Sequence, residues 1–164
     1  MSPPQSADTA PMPKAIVLGC DHAGFQLKQA LMKHMNSHPV AKGIRQVDVG
    51  CFTPESVDYP AIANLLAQQM TSVKESVGIL VCGSGVGICM AANRHAHIRA
   101  VRAHDLSTAV MSRRHNDANV LCFGERFIAA PLAADIFDAW LATAFEGGRH
   151  AKRVDLMSAV PASC

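Results

Sequence analysis

A cysteine followed at once by a glycine-rich loop is the strongest chemical signal in the sequence. Cys82 precedes the segment GSGVG of residues 83–87. Glycines let a ligand approach the backbone closely, and the helix expected after them offers free N–H groups to an anion. A thiol at a helix start ionises readily, and its thiolate can act as a base or a nucleophile. The alternative is an inert cysteine at a strand end, followed by a plain tight turn.

The glycine spacing argues against the common nucleotide sites. The loop lacks the Lys-Ser/Thr pair of a P-loop, and its third glycine is one position away from that of a dinucleotide fingerprint. The segment therefore favours binding of an anion or oxyanion over binding of ATP or NAD.

Two further polar segments flank apolar runs. Asp21 and His22 follow the run AIVLGC, where they could contact a ligand, or Asp21 could cap a helix and leave His22 exposed. The segment HNDAN of residues 115–119 leads straight into another apolar run. Its alternative role is a turn that ends a helix.

Basic residues near the carboxyl end could hold a phosphate. Arg149 and Arg153 are four positions apart and share one face if the segment is helical. With His150 and Arg126 they suit a phosphate, whose oxygens pair well with guanidinium groups. The alternative is a solvated helix face. The remaining histidines have no partners at metal-ligand spacing, so we expect surface positions and no metal site; they are His34, His38, His95, His97 and His104.

Composition limits the protein class. The 164 residues are 49% hydrophobic and 17% charged, which indicates one folded domain. A net charge of +2 and 5% aromatic residues argue against nucleic-acid binding, and no apolar run is long enough for a membrane span. Residues 1–13 hold four prolines and predict a disordered tail before a single domain over 14–160. Six cysteines without a C-x-x-C pair favour a reduced, cytoplasmic protein.

Short apolar runs alternate with helical patterns along the chain. We predict strands over 15–20, 44–49, 78–82, 99–102 and 119–123, and helices over 24–36, 59–72, 85–94, 105–114, 131–144 and 150–159. Asp58 and Asp105 are expected to cap the helices that follow them. The alternation predicts an α/β fold with one parallel sheet between two helical layers. The loops after the first three strands should then share one edge of that sheet, where such folds bind ligands.

Several blocks of sequence, in one order and spacing, resemble a known family. The sequence is similar to type B ribose-5-phosphate isomerases, whose family also contains galactose-6-phosphate and allose-6-phosphate isomerases. The similarity covers about residues 14–158 and includes GCDHAGFQLK, VDVG with VDYP, GILVCGSGVGICMAANR, RAVRAHD, SRRHNDANVLCFGER and AWLATAFEGGRHAKRV. It implies a Rossmann-like α/β/α sandwich with strand order 2-1-3-5-4. It also implies aldose–ketose isomerisation through an enediol, without metal or cofactor, in a homodimer or dimer of dimers.

The resemblance also implies roles for individual residues. Cys82 matches the base that moves a proton between C1 and C2, and Ile88 stands where other members carry a glutamate base. His115 matches the residue that opens the sugar ring. Ser84 matches a hydroxyl that stabilises the enediolate, together with the backbone N–H groups of the loop: Gly83, Gly85, Val86 and Gly87. Substrate hydroxyl contacts match Asp21, Tyr59 and Asn116, and the substrate and phosphate set matches His22, Arg126, Arg149 and Arg153.

The leading hypothesis is therefore interconversion of ribose 5-phosphate and ribulose 5-phosphate in the pentose phosphate pathway. Alternatives are isomerisation of a tetrose phosphate, allose 6-phosphate or galactose 6-phosphate. A non-catalytic sensor of sugar phosphates and a thiol redox module are weaker alternatives.

The topology predicts an active site shared between two chains. Cys82 follows a strand and His115 precedes one, so a parallel sheet places them at opposite edges, roughly 15 Å apart for a five-residue strand. We expect His115, Asn116 and Arg126 to reach Cys82 from a neighbouring chain.

Overall fold

Strands and helices alternate along the chain in the computed structural model, which describes residues 10–159. The strands are β1 (Ala15–Cys20), β2 (Arg45–Asp48), β3 (Ser76–Cys82), β4 (Ala100–Arg102) and β5 (Val120–Gly124). The helices are α1 (Phe25–Ser37), α2 (Tyr59–Ser72), α3 (Val86–Ala92), α4 (Leu106–Asn116), α5 (Ala130–Ala142) and α6 (Arg149–Ser158). All predicted strands and helices are present, with ends shifted by up to two residues. Short 3-10 turns cover His22–Gly24 and Ala41–Gly43.

The five strands form one sheet in the order β2-β1-β3-β5-β4, and every neighbouring pair is parallel. This confirms the predicted α/β fold. The central strands β1 and β5 are buried along their whole length, because helices cover both faces of the sheet. One core layer packs α1 and α5 against the sheet, and the other packs α2 and α3 against its opposite face.

Two predicted caps have different outcomes. Asp105 accepts a hydrogen bond from the backbone N–H of Thr108 at 2.7 Å and so caps α4 as predicted. Asp58 stands at the cap position of α2, but its side chain makes no capping hydrogen bond. Pro60 lies in the first turn there, where a missing N–H costs nothing.

Residues 1–9 of the predicted tail and residue 160 lie outside the described residues, so the predicted domain limits stay predictions. Within 10–159, none of the helices has the length and apolar character needed to cross a bilayer.

Candidate functional site

The predicted base lies at the carboxyl end of the central strand β3. Cys82 is buried, with 3% of its surface exposed, and the loop that follows it leads directly into α3. The backbone N–H of Gly85 donates to the Cys82 sulfur at 3.1 Å. An N–H donor aimed at a sulfur favours its thiolate form, because the donor stabilises negative charge. The loop geometry can therefore support a thiolate base at this edge.

Each glycine of the loop serves a packing or backbone requirement. Gly85 has a φ of 77°, in the left-handed region that favours glycine. A Cβ on Gly83 would lie 3.2 Å from Cζ of Arg126, and one on Gly87 would lie 2.7 Å from Cζ of Tyr59. The missing side chains thus bring a guanidinium and a phenol against the loop.

Ser84 turns its hydroxyl toward the start of α3. Its Oγ accepts a hydrogen bond from the N–H of Val86 at 3.2 Å, and its side chain is half-buried. A hydroxyl held in this position can donate its own proton to an oxygen that gains negative charge beside the loop.

The polar pair after β1 joins the same edge. Asp21 is 7% exposed, and its backbone N–H donates to the carbonyl of Val81 at 3.1 Å. Its carboxylate accepts from the N–H of Ala23 at 2.9 Å, so Asp21 also caps the short turn, as its alternative role predicted. Burial raises the pKa of Asp21, opposed by the Ala23 hydrogen bond and then by the charges of His22 and Arg126.

His22 is exposed, and its Nδ1 accepts a hydrogen bond from the N–H of Val57 at 3.4 Å. The loop after β2 therefore packs against the pair after β1. We call the residues gathered at this edge the carboxyl-edge cluster: Asp21, His22, Tyr59, Cys82, the 83–87 loop and Arg126.

The position of Arg126 corrects one expectation. We expected a neighbouring chain to supply this residue, but Arg126 of the same chain lies against Gly83. The reason is topological: Arg126 follows β5, and the carboxyl end of β5 pairs with that of β3, Gly124 opposite Cys82. Glu125 fixes this turn to α1, because its carboxylate accepts from the N–H of Leu27 at 2.8 Å.

His115 lies at the other end of the strands, in the last turn of α4. Its ring stacks on that of His150, with centroids 4.2 Å apart and planes 5° apart. Glu146 Oε2 lies 3.7 Å from Nε2 of His115 and 3.8 Å from Nε2 of His150. Burial lowers the pKa of His150, and the nearby His115 and Arg149 lower it further.

The remaining predicted residues are at this same end. Arg149 and Arg153 are exposed on α6 and lie close enough to lower the pKa of His150. Asn116 lines a cavity of about 530 Å³ beside the amino ends of β4 and β5. We call His115, Asn116, Arg149 and Arg153 the amino-edge cluster. Within residues 10–159, the fold keeps it apart from Cys82, as the sequence predicted.

Two groups within 10–159 hold ligand-type atoms within 4.8 Å of one another: His34 with His38 and Asp138, and His115 with Glu146 and His150. Asp138 accepts from Nε2 of His34 at 2.9 Å, a partner that sequence spacing missed because α5 supplies it. Nδ1 of His38 accepts from two backbone N–H groups, which places its proton on the Nε2 that faces Asp138.

In the second group, the lone pair on Nε2 of His150 is also engaged. Arg149 donates to Nε2 of His150 at 3.3 Å, so that nitrogen already has a cationic donor. Hydrogen bonds therefore join His34 to Asp138 in the first group and engage one ring nitrogen of His150 in the second, and the absence of a metal requirement stays a prediction.

Comparison with known proteins gives concordant results. A family model described as Ribose/Galactose Isomerase matches residues 16–157. The chain is 44% identical to ribose-5-phosphate isomerase B of Escherichia coli K12, over 90% of this chain and 96% of that protein. It is 43% identical to a probable ribose-5-phosphate isomerase B of Mycoplasma pneumoniae, over 85% and 90% of the two chains.

Solved structures show the same similarity. A ribose 5-phosphate isomerase from Thermotoga maritima superposes with a TM-score of 0.83 at 40% identity, over 89% of this chain and 98% of the other. The Mycoplasma genitalium ribose-5-phosphate isomerase B with bound ribulose-5-phosphate gives a TM-score of 0.81 at 36% identity, over 88% and 93%. The chain belongs to the ribose/galactose isomerase family.

Proposed function

We propose that this protein is an aldose–ketose isomerase that interconverts ribose 5-phosphate and ribulose 5-phosphate. The observation that carries the proposal is the hydrogen bond from the Gly85 N–H to the Cys82 sulfur, at the mouth of the glycine loop. The similarity to isomerases of this substrate, one of them with bound ribulose-5-phosphate, supports the choice of sugar.

The reaction needs a base and donors for a developing oxyanion. The proton beside a sugar carbonyl is weakly acidic, and its removal leaves an enediolate. Cys82 takes this proton from one carbon and returns it to the next. Ser84 and the backbone N–H groups of the loop stabilise the enediolate oxygen. Asp21 and Tyr59 orient the sugar hydroxyls, and no redox cofactor or metal enters this proton transfer.

The amino-edge cluster completes the site from a second chain. His115 opens the sugar ring, and Asn116 contacts a hydroxyl. Arg149 and Arg153, together with His22 and Arg126, bind the phosphate, because a guanidinium group can donate two parallel hydrogen bonds to phosphate oxygens. The assembly is a homodimer or a dimer of dimers, and its location is cytoplasmic. The cytoplasmic location is supported by five cysteines without disulfide partners within 10–159.

A second candidate is isomerisation of another phosphosugar, such as allose 6-phosphate, galactose 6-phosphate or a tetrose phosphate. The matching family is described as Ribose/Galactose Isomerase, which supports this second candidate. Catalytic efficiency on a panel of these sugar phosphates separates the two candidates. The largest kcat/KM on ribose 5-phosphate supports the proposal, and a larger value on any other sugar overturns the substrate assignment.

The role of Cys82 has a direct test. Cys82→Ser should lower kcat by about a thousandfold or more, since the alkoxide is far harder to form than the thiolate. Cys89→Ser, which changes a nearby thiol that lies on α3, is the matched control and should keep near-normal turnover. Normal kcat in Cys82→Ser would contradict the mechanism.

A further inference from the structure

We propose that Arg102 is a positioning residue for the Cys82 base: its guanidinium holds the Ser84–Gly85 peptide so that the Gly85 N–H stays aimed at the Cys82 sulfur. The inference rests on the proposed function of Cys82. It adds a residue from β4, a strand outside the carboxyl-edge cluster, to the machinery of the reaction.

One peptide group connects the arginine to the sulfur. Nε of Arg102 donates to the carbonyl oxygen of Ser84 at 2.7 Å. The N–H of the same peptide belongs to Gly85 and donates to the Cys82 sulfur at 3.1 Å. In a trans peptide the C=O and N–H point in opposite directions, so a donor on the oxygen fixes the direction of the N–H. A cation on the oxygen also polarises the peptide and strengthens its N–H as a donor.

The peptide has little freedom to turn another way. A Cβ on Gly124 would collide with the carbonyl carbon and oxygen of Ser84, so this peptide lies directly on the backbone of β5. At the nitrogen end of the peptide, Gly85 has its positive φ. The peptide is therefore enclosed by β5 below, by Arg102 at its oxygen and by the sulfur at its nitrogen.

Arg102 itself is held in place. It is half-buried at the end of β4, in register with Cys122 of β5. Its guanidinium carbon lies 5.6 Å from the centroid of the Phe127 ring, within the range of a cation–π contact. A strand residue held on two sides can fix a loop more rigidly than a mobile surface arginine.

Other groups that titrate or carry charge surround the sulfur, and Arg102 has a separate place among them. Cys122 of β5 is buried near Cys82, and Cys89 of α3 contacts Cys122. The hydrogen bond with Cys122 is the main cause that lowers the pKa of Cys89, and the charge of Arg102 contributes. Asp21 and Arg126, with Tyr59 and the exposed His22, stand at the opposite side of the loop, toward Gly83 and Gly87. Of these groups, Arg102 is the one that donates a hydrogen bond to the Ser84–Gly85 peptide, whose N–H faces the sulfur.

The test compares three substitutions. Arg102→Met removes both the charge and the donor, and Arg102→Lys keeps a charge and a donor without the planar guanidinium. Arg45→Gln is the matched control: it removes an exposed arginine on β2, the opposite edge strand of the sheet. For each variant, mass spectrometry follows iodoacetamide alkylation of Cys82 against pH, and kcat and KM for ribose 5-phosphate are measured over the same range.

A role in positioning the base predicts a specific pattern. In Arg102→Met, the pH of half-maximal Cys82 alkylation should rise by about 0.5 to 1 unit, and kcat at neutral pH should fall about 3- to 10-fold. KM should stay within about twofold, because the change weakens the base rather than ground-state binding of the sugar. Arg102→Lys should fall between Arg102→Met and the unmodified protein, and Arg45→Gln should match the latter.

Other results overturn the inference. An alkylation profile in Arg102→Met that superposes on that of the unmodified protein shows that Arg102 does not act on Cys82, even if thermal stability falls. A raised KM with unchanged kcat assigns Arg102 to sugar binding instead. If Arg102→Met does not fold, Arg102→Gln replaces it with the same expectations. Normal turnover in Cys82→Ser contradicts the proposed function, whereas the alkylation profile still tests the link from Arg102 to the sulfur.

Discussion

At the scale of single residues, burial changes the chemistry of thiols that share a strand-end position. Cys20 ends β1 as Cys82 ends β3, yet its surroundings differ. Burial raises the pKa of Cys20 to about 11, more than the nearby Lys28 charge and the Cys51 backbone bond lower it. Its sulfur lies 4.0 Å from the Cys51 carbonyl, and among residues 10–159 it accepts no hydrogen bond from a loop N–H of the kind that faces Cys82. Cys20 therefore stays a neutral thiol at neutral pH.

The raised pKa of Cys20 makes stability depend on alkaline pH. Below pH 9 the thiol is protonated in both folded and unfolded chains and contributes no pH dependence. As pH rises from 9 toward 11, the unfolded chain loses this proton first, so the free energy of unfolding falls. Cys20→Ala should cost about 1–2 kcal/mol at pH 7 through lost packing, and this deficit should shrink toward pH 11. Urea unfolding at pH 7, 9 and 10.5 measures it, and a constant deficit would contradict the assignment.

At the scale of elements, the turn after β1 is built on close approach to β3. A Cβ on Gly24 would lie 2.6 Å from both the carbonyl carbon and the oxygen of Val81. This contact lets Asp21 place its N–H on that same carbonyl. The position of the Asp21 carboxylate therefore depends on a glycine three residues away, through the packing of one backbone on another.

Gly24→Ala should destabilise the protein by about 1–3 kcal/mol, because the added methyl group must push backbone atoms apart. It should also reduce kcat/KM, since Asp21 shifts with the turn. Gly43→Ala is the matched control: apart from its chain neighbours, no atom of residues 10–159 lies within 4 Å of its Cβ position, and the expected change is a gain of up to about 1 kcal/mol. Thermal unfolding and steady-state kinetics of both variants measure these effects. Equal unfolding temperatures for the two variants would show that the contact at Gly24 does not constrain the turn.

At the scale of the whole molecule, the sheet separates two sets of candidate site residues. The carboxyl-edge cluster holds the proposed base, Cys82, and the glycine loop, and the amino-edge cluster holds His115 and the arginines of α6. Because β5 alone runs for five residues between these edges, about 15 Å of strand separates them. In the proposed homodimer, a twofold axis would place the carboxyl edge of each chain against the amino edge of the other, giving two composite sites.

Mixing two inactive variants tests the shared site. Cys82→Ala and His115→Ala chains, unfolded and refolded together, form mixed dimers with one intact and one doubly altered site. Random pairing should restore about a quarter of the activity of the unmodified protein, since half of the dimers are mixed and each has one working site. The same variants refolded separately are the control. No recovery, in a sample shown by native mass spectrometry to contain mixed dimers, would mean that each chain acts alone.

The sequence by itself determined the strands and helices and which candidate residues share the carboxyl edge of the sheet. The alternation of apolar runs and helical patterns predicts strand–helix units, and the residues just after β1 and β3 meet at one edge because parallel strands share their direction. These features are local along the chain, or follow from strand direction alone. The strand order came from the family resemblance rather than from the pattern.

Only the tertiary structure decided which side chains from different strands, helices and loops contact one another. Arg126 lies at Gly83 of its own chain, Asp138 pairs with His34, and Arg102 reaches the carbonyl of Ser84. The partners in these contacts are 18 to 104 residues apart. Such contacts depend on strand order, register and the close approaches that Gly24 and Gly124 allow, and the periodicity of a single segment carries no information about them.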